Sequence, residues 1–425
     1  MKKIGVAILG IGVVGGGTYR ILNEHREFYK KTQNVDIEVV SVLETDKERA
    51  MGEGVPEEKI ATNIAEVVCN PDVNIIVECI GGITVAKEYA LAALHAGKSV
   101  VTSNKELYAK FSHELEHAAR HNHAGLFFEA SCVGGVPIIR TLIDGLQGNK
   151  IESMMGVING TTNYILTKMT NDGLSYEEAL EEAKKLGYAE ADPSADVEGF
   201  DAAYKLSILS SLAFHTKVPY TKVFREGITG ISKEDIEAGK RLGYTLKLLA
   251  VGKHTDAGIE VRVHPAFVKT THPLASVSDS FNAVFVKGDA VGDIMLYGRG
   301  AGALPTGSAI VSDIIYAATH TEMKYSTFKN GETAEKDINF VEDFTSAYYL
   351  RLSVADEPGV LAKLASVFGK CRISIEAMSQ REKGEARASL ELVTHETHEF
   401  AIRDAIERIN SACCATVETV LRVAS

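Results

Sequence analysis

The sequence predicts an α/β protein in three parts: a parallel sheet wound by helices, an α+β domain, and a small βαββαβ tail. Three observations predict it. Up to residue 129, short Val- and Ile-rich runs alternate with amphipathic stretches. A glycine-rich turn, Gly10-Ile11-Gly12-Val13-Val14-Gly15, lies between the first run and the first such stretch. After a polar stretch at 321–345 the strand and helix patterns begin afresh.

The elements follow in order. Apolar runs at 4–9, 35–43, 73–80, 98–102 and 125–129 read as strands, and segments around 15–29, 84–97 and 104–121 read as helices. This alternation lays parallel strands under covering helices. Residues 1–135 are assigned to this domain, and a helical pattern at 306–318 is the candidate to complete it over 302–320. Residues 136–301 are assigned to an α+β domain, with a strand at 151–158, helices at 160–171, 175–187 and 199–214, and strand-like pieces at 261–268 and 281–286. Polar, weakly periodic 321–345 reads as a linker. Residues 346–425 carry strand 348–355, helix 359–369, strands 373–380 and 385–393, helix 397–409 and strand 415–423, a ferredoxin-like order.

Composition narrows the function. The 425 residues include 57 acidic and 45 basic ones, a net charge of −12. At roughly 100–200 residues per domain there is room for two to four. Apolar content of 45% and charged content of 24% exclude wholesale disorder. No apolar run approaches the roughly 18 residues of a membrane span, so no membrane partner is expected. Met1-Lys2-Lys3 runs straight into a strand, so no signal peptide is expected. Six cysteines without paired spacing fit reduced thiols in a cytoplasm. The acidic balance speaks against nucleic acid.

The glycine turn has the context of a dinucleotide site, a Rossmann fingerprint between strand and helix. Gly10 allows the tight turn, Gly12 admits a pyrophosphate against backbone, and Gly15 lets helix and strand pack closely. The phosphates then meet helix N-terminal N–H groups. A plain βα turn is the alternative. At the end of the second strand, Glu44 can accept from a ribose 2′-hydroxyl and would repel a 2′-phosphate, which favours NAD over NADP. Lys47 and Arg49 close by could reverse that.

Two further constellations carry chemistry, and one motif is a decoy. His113-Glu114-Leu115-Glu116-His117 spells HExxH, a zinc-protease pattern on a helix, with His121 on the same face. Its setting between two strands of the nucleotide domain favours a solvated helix packed through Phe111, Leu115, Ala118 and Ala119. From Gly187 to Lys205 a Pro/Gly-broken acidic loop, with Glu190, Asp192, Asp196 and Glu198, runs into a helix where Asp201 and Lys205 share a face. Lys205 enters an apolar stretch, so it must be partnered or perturbed. An exposed i,i+4 salt bridge beside a solvated loop is the alternative. Lys105, in Val101-Thr102-Ser103-Asn104-Lys105, directly follows a parallel strand, where ligands bind. Solvation of a helix start is its alternative.

These runs resemble one family. Ala183 through Gly187, Glu190, Asp192-Pro193, Asp196, Gly199, Asp201 and Lys205 resemble the homoserine dehydrogenase signature. So do Val101–Lys105, Glu129-Ala130-Ser131-Cys132-Val133-Gly134-Gly135-Val136-Pro137 and Gly156–Tyr164, and the resemblance covers essentially the whole chain. Leu350–Leu361, with Asp356-Glu357-Pro358-Gly359-Val360-Leu361, is similar to the opening of an ACT regulatory domain. The resemblance implies a Rossmann domain, a catalytic and dimerisation domain, and an ACT tail. It implies reversible oxidation of L-homoserine to L-aspartate 4-semialdehyde with NAD or NADP, in threonine, methionine and isoleucine biosynthesis. A lysine can be the acid–base group when burial and cationic neighbours favour its neutral amine. The resemblance places Lys205 and Lys105 in catalysis and Glu190, Asp201, Gly187, Thr161 and Asp196 on the substrate. It places Gly10, Gly12, Val13, Val14, Gly15, Glu44, Gly81, Thr102, Ser103, Lys105 and Gly302 on the cofactor. Glu129, Cys132, Gly134 and Val136 correspond to a monovalent cation site, usually sodium, largely through carbonyl oxygens. A carboxylate that merely ends a strand is the alternative for Glu129. Many members carry Val-Arg-Asp where this chain has Glu44-Thr45-Asp46, a departure that supports NAD.

In the tail, Pro358 and Gly359 fit a helix start whose N–H groups can hold an amino-acid carboxylate, threonine being the expected effector, at Asp356, Gly359, Val360 and Leu361. A dimerisation module without ligand is the alternative. A homodimer or homotetramer is expected. Another NAD-dependent amino-acid dehydrogenase with an ACT tail is the nearest other function. A non-catalytic amino-acid sensor is the more distant one, and it needs neither Lys105 with Lys205 nor Glu190 with Asp201.

Overall fold

The computed structural model describes residues 1–320, 338–382, 387–411 and 415–424. They form two compact units. The first comprises 1–154, 201–223 and 281–337, and the second 155–200, 224–280 and 338–425. The chain passes between them inside strand Ile151–Val157 and inside helix Phe200–Ala213.

The first unit holds six parallel strands: β1 (Lys2–Leu9), β2 (Val35–Leu43), β3 (Ile60–Ala61), β4 (Ile75–Glu78), β5 (Ser99–Thr102) and β6 (Leu126–Phe127). Their order, β3-β2-β1-β4-β5-β6, is the doubly wound order, which reverses direction between β1 and β4 and opens a crevice at the strands' carboxyl ends. Helices cover both faces, so β1 is apolar without alternation and Val6–Leu9 are inaccessible to solvent. The first helical stretch is two helices, Val13–Glu24 and Arg26–Gln33, parted at His25, whose φ of −101° and ψ of 8° leave the helical region. The helix at Lys105–His121 kinks at Phe111. Helix Ala303–Thr319 packs on Val13–Glu24 so closely that a Cβ on Gly17 would lie 2.3 Å from the Ala303 carbonyl oxygen. A hairpin, Phe281–Gly288 with Gly292–Arg299, and strand Ile151–Val157 beside it add a second sheet segment.

The second unit carries helices Gly160–Asn171, Tyr176–Lys185 and Lys233–Arg241, and a sheet in the order 244–255, 258–269, 415–424, 345–355, 387–394, 375–382. Its last four strands, with helices Val360–Lys370 and Glu399–Ser411, are the expected βαββαβ tail. That tail has its own apolar core around Tyr348, Leu350, Leu352, Phe368 and Leu390. Unforeseen in the sequence, the tail's final strand pairs in parallel with strand Gly258–Lys269, from Ala266 opposite Arg422 to Val268 opposite Ala424. Of the stretch read as a linker, 321–337 lies outside the described residues, as do 385–386 of the strand read at 385–393. Residues 339–341 are bonded onto strand Gly258–Lys269: Ile259 N–H donates to the Asn339 carbonyl and Val341 N–H to that of Ile259, both at 2.9 Å. Strand Tyr244–Thr255, strand Gly292–Arg299 and helix Lys233–Arg241 were not foreseen. Among the described residues no helix is long and apolar enough to cross a membrane.

Candidate active site

At the carboxyl end of β1, Gly10 has φ of +87°, which favours glycine, and a Cβ on Gly15 would lie 1.9 Å from the Gly10 carbonyl oxygen. Helix Val13–Glu24 begins at Gly12 with no side chain capping it, which leaves its first N–H groups free for phosphate. Val13 is exposed and Val14 half-buried. Glu44 accepts from Ile11 N–H at 3.0 Å and Asp46 N–H at 3.1 Å. Burial opposes its charge, but these N–H groups outweigh it and hold the carboxyl below the usual range, so Glu44 is ionised beside the turn. Arg49 faces Asp46 at 3.8 Å.

Beyond β4, Gly81 and Gly82 both have positive φ, +82° and +66°. Beyond β5, Asn104 caps the helix that Lys105 opens, its Oδ1 accepting from Leu107 N–H at 3.0 Å. Linking the two loops is Glu78, fully buried at the end of β4 and missed in the sequence. Its only signal was an acid closing an otherwise apolar run, Ile75-Ile76-Val77-Glu78.

Helix Phe200–Ala213 is buried on nearly every side, and Lys205 is 9% exposed. Asp201 joins the two lysines: Lys205 Nζ donates to Asp201 Oδ2 at 2.6 Å, and Lys105 Nζ lies 3.1 Å from Asp201 Oδ1. The exposed-salt-bridge alternative fails, because Asp201 is 7% and Lys205 11% exposed at the side chain. The resemblance implies Lys105 facing Lys205 and Asp201 as a partner of the substrate hydroxyl or of a lysine, and the structure sets the Asp201 carboxylate between the two amines. Lys105 is 41% exposed at the side chain.

The remaining substrate candidates lie in the second unit. Thr161, in the first turn of helix Gly160–Asn171, donates its hydroxyl to the Tyr188 carbonyl at 2.7 Å, on the loop that carries Gly187 and Glu190. Gly187 has φ of +76° just past helix Tyr176–Lys185, and Glu190 is exposed. Asp196 accepts from Asn159 Nδ2 at 2.6 Å, and Asn159 caps the Thr161 helix. The structure therefore brings Lys105, Asp201 and Lys205 together in one unit. In the other it ties Thr161 to the Gly187–Glu190 loop and Asp196 to the cap beside it.

Comparison with known proteins decides the family. A family profile described as homoserine dehydrogenase matches residues 137–315, that of the homoserine dehydrogenase NAD-binding domain matches 10–129, and that of the ACT domain matches 348–414. The homoserine dehydrogenase of Bacillus subtilis is 41% identical over 415 residues, 96% of this chain and 95% of that one. The chain belongs to the homoserine dehydrogenase family. A solved homoserine dehydrogenase from Thiobacillus denitrificans matches with a TM-score of 0.94 at 38% identity, covering 100% of this chain and 99% of that one. A hyperthermophilic archaeal homoserine dehydrogenase in complex with NADPH matches with a TM-score of 0.63 at 31% identity, covering 74% and 97%. This homoserine dehydrogenase is thus an NAD(P)-dependent oxidoreductase of amino-acid biosynthesis with a C-terminal ACT domain.

Three further sets of residues complete the enzyme's inventory. Glu129 is 2% exposed and accepts from Ile139 N–H at 2.9 Å and Arg140 N–H at 2.7 Å. Burial, then the charge of Asp313, pushes its carboxyl up to about 8. Arg140 pairs with Asp313 at 2.9 Å. Two buried carboxylates facing one guanidinium suit an added cation. Val133 and Gly134 both have positive φ, and burial pushes the Cys132 thiol up to about 12, so it stays protonated. In the ACT domain, Gly359 has φ of +89° where helix Val360–Lys370 starts, Asp356 accepts from Gln380 at 3.3 Å, Val360 is buried and Leu361 is 39% exposed. In the HExxH segment, His113 and His117 are exposed while Leu115, Ala118 and Ala119 are buried. The acid buried there is Glu116, held by the Tyr108 hydroxyl at 2.6 Å and Arg120 at 3.0 Å. No group of three or more His, Cys, Asp or Glu among the described residues could hold a metal.

Proposed function

We propose that this enzyme interconverts L-homoserine and L-aspartate 4-semialdehyde, with Lys205 exchanging the alcohol proton. The observation that carries this is the single buried carboxylate, Asp201, bonded to the ammoniums of both Lys205 and Lys105. A bound nicotinamide dinucleotide would supply the acceptor for the hydride leaving the alcohol carbon. Lys205, as the neutral amine, removes the hydroxyl proton, and returns it in the reverse direction. Asp201 holds that amine in place. Lys105 sets a positive charge against the oxygen as it loses its proton. Glu190 takes the substrate's α-ammonium, a charge-assisted pairing, while Thr161, Gly187 and Asp196 shape the rest of the substrate's surroundings.

The cofactor contacts in this reading are Gly10, Gly12, Val13, Val14, Gly15, Glu44, Gly81, Thr102, Ser103, Lys105 and Gly302, with NAD preferred over NADP. A monovalent cation, sodium, would be held by Glu129 and by carbonyl oxygens of Cys132, Gly134 and Val136. It would balance the carboxylates of Glu129 and Asp313. Threonine binds the ACT domain at Asp356, Gly359, Val360 and Leu361 and inhibits. The enzyme works in the cytoplasm as a homodimer or homotetramer. Nicotinamide absorbance, followed with L-homoserine and each cofactor, with and without threonine, tests the reading. No turnover of homoserine with either cofactor would overturn it.

A further inference from the structure

Glu78 is a buried acid that the reaction as described does not use. It ends β4, which borders the reversal in sheet order, and is 0% exposed. A buried acid there is costly unless its oxygens are satisfied, and burial pushes its pKa up. No cation pairs with it among the described residues, and hydrogen-bond donors fill that role. Ile80 N–H donates to Oε1 at 2.9 Å, and the Thr102 hydroxyl donates to Oε2 at 2.6 Å. β4 and β5 set Glu78 and Thr102 directly opposite each other.

The bonds continue into a closed ring. Thr102 Oγ1 accepts from Asn104 N–H at 3.0 Å, and Asn104 Nδ2 returns to the Gly82 carbonyl at 2.6 Å. The Asn104 Oδ1 meanwhile caps the helix whose first residue is Lys105. One carboxylate therefore fixes the loop that follows β4 and the loop that follows β5. Such loops are where a dinucleotide binds in this fold. The second of them also carries the amine that reaches Asp201.

We propose that Glu78 is a positioning residue whose carboxylate clasps the Ile80–Gly82 loop to the Thr102–Lys105 loop, setting the dinucleotide platform and the reach of Lys105 together. The part that concerns Lys105 rests on the catalytic reading above, and the part that concerns the platform does not. Three variants test it: Glu78→Gln, which leaves one acceptor oxygen where the Ile80 N–H and the Thr102 hydroxyl use two, Thr102→Val, which takes away that hydroxyl, and Thr102→Ser, which keeps it.

In the dinucleotide-free enzyme, amide hydrogen exchange at Ile80 and Asn104 is expected to quicken up to about tenfold in the first two variants, the scale of a lost hydrogen bond. Amides of β1 and of helix Phe200–Ala213 keep their wild-type rates. Dissociation constants for NAD and NADP rise together by a similar factor, and kcat falls. Thr102→Ser recovers most of what Thr102→Val loses. If Glu78→Gln fails to fold, Thr102→Val decides alone. Wild-type exchange at the two amides and wild-type dinucleotide affinity in Thr102→Val would overturn the clasp. A lost affinity with unchanged kcat would remove its Lys105 half. Full activity in Lys105→Ala would instead sink the catalytic reading and leave the platform result standing.

Discussion

Asp201 gives one carboxylate to two ammoniums, and that ratio governs what substitutions at this spot do. Lys205→Ala removes the amine that moves the proton and leaves Asp201 bonded to Lys105, so the buried carboxylate is not stranded. The expected loss in kcat is on the order of 10²–10⁴-fold, the range of general acid–base catalysis, with dinucleotide affinity kept. Steady-state kinetics beside a dinucleotide titration check both halves, and near-normal turnover would take Lys205 out of its role. The spacing of Asp201 and Lys205 was legible, because i and i+4 share a helix face. Lys105 as the third member was legible only through the family resemblance, because strand order rather than spacing brings it there. Glu44 acts at the same scale. It stays ionised beside the glycine turn, and the nearby Arg49 faces Asp46, so a 2′-phosphate would meet negative charge. NAD is expected to show the larger kcat/KM, and Glu44→Gln to narrow the gap. A large NADP advantage in the wild type would end that preference.

Strand Ala415–Ala424 belongs to the ACT domain by sequence and to the neighbouring sheet by hydrogen bonding. Ionic contacts reinforce the join. Arg351 reaches Asp235, which is fully buried, at 2.7 Å; Arg241 reaches Glu391 at 2.7 Å; and Arg422, 5% exposed, bonds both Glu226 and Glu399. Ending the chain at residue 345 would strip strand Gly258–Lys269 of this neighbour and leave Asp235 and Glu226 without their arginines. A bare strand edge invites aggregation. The truncated chain is expected to aggregate and lose activity, so truncation does not report on threonine. Leu361→Ser, at a 39% exposed position in the first turn of the ACT helix, is the cleaner probe. It should keep kcat and blunt inhibition by threonine, and unchanged inhibition would place control elsewhere. The tail's six elements were legible because each carries a clear period between turn residues. Strand Tyr244–Thr255 was not, because Leu246 and Leu248–Val251 form a compact apolar patch that suits a strand or a buried helix equally. β3, two residues long, has no period to read.

For the whole chain, stability against pH depends on a few buried groups with opposing signs. His264 is 2% exposed, and its Nε2 accepts from Arg262 Nε at 3.2 Å. Burial first, then the charges of Arg422 and Arg262, hold its pKa well below 6.5, so the folded ring stays neutral. Below pH 6.5 the unfolded chain takes a proton there that the folded chain refuses. The stability His264 contributes is therefore present above 6.5 and lost as pH falls. Glu129 works the other way. With its folded pKa raised to about 8, it favours folding below 4.5 and loses that contribution as pH rises through 8. Glu78, raised by burial, has the same sign. Glu399 has a pKa below the ordinary 4.5, because Arg422 and its hydrogen bonds outweigh burial, so it acts only in stronger acid. Between pH 6.5 and 5 the His264 loss opposes the gain from the raised carboxyls of Glu129 and Glu78. His264→Asn removes only the loss. Relative to wild type, the variant should gain up to about 1.4 kcal/mol for each pH unit of acidification in that window. Urea unfolding of both proteins at pH 8, 6.5 and 5 measures the difference. Curves that run parallel through all three would show that His264 takes up its proton in the folded chain as readily as in the unfolded one.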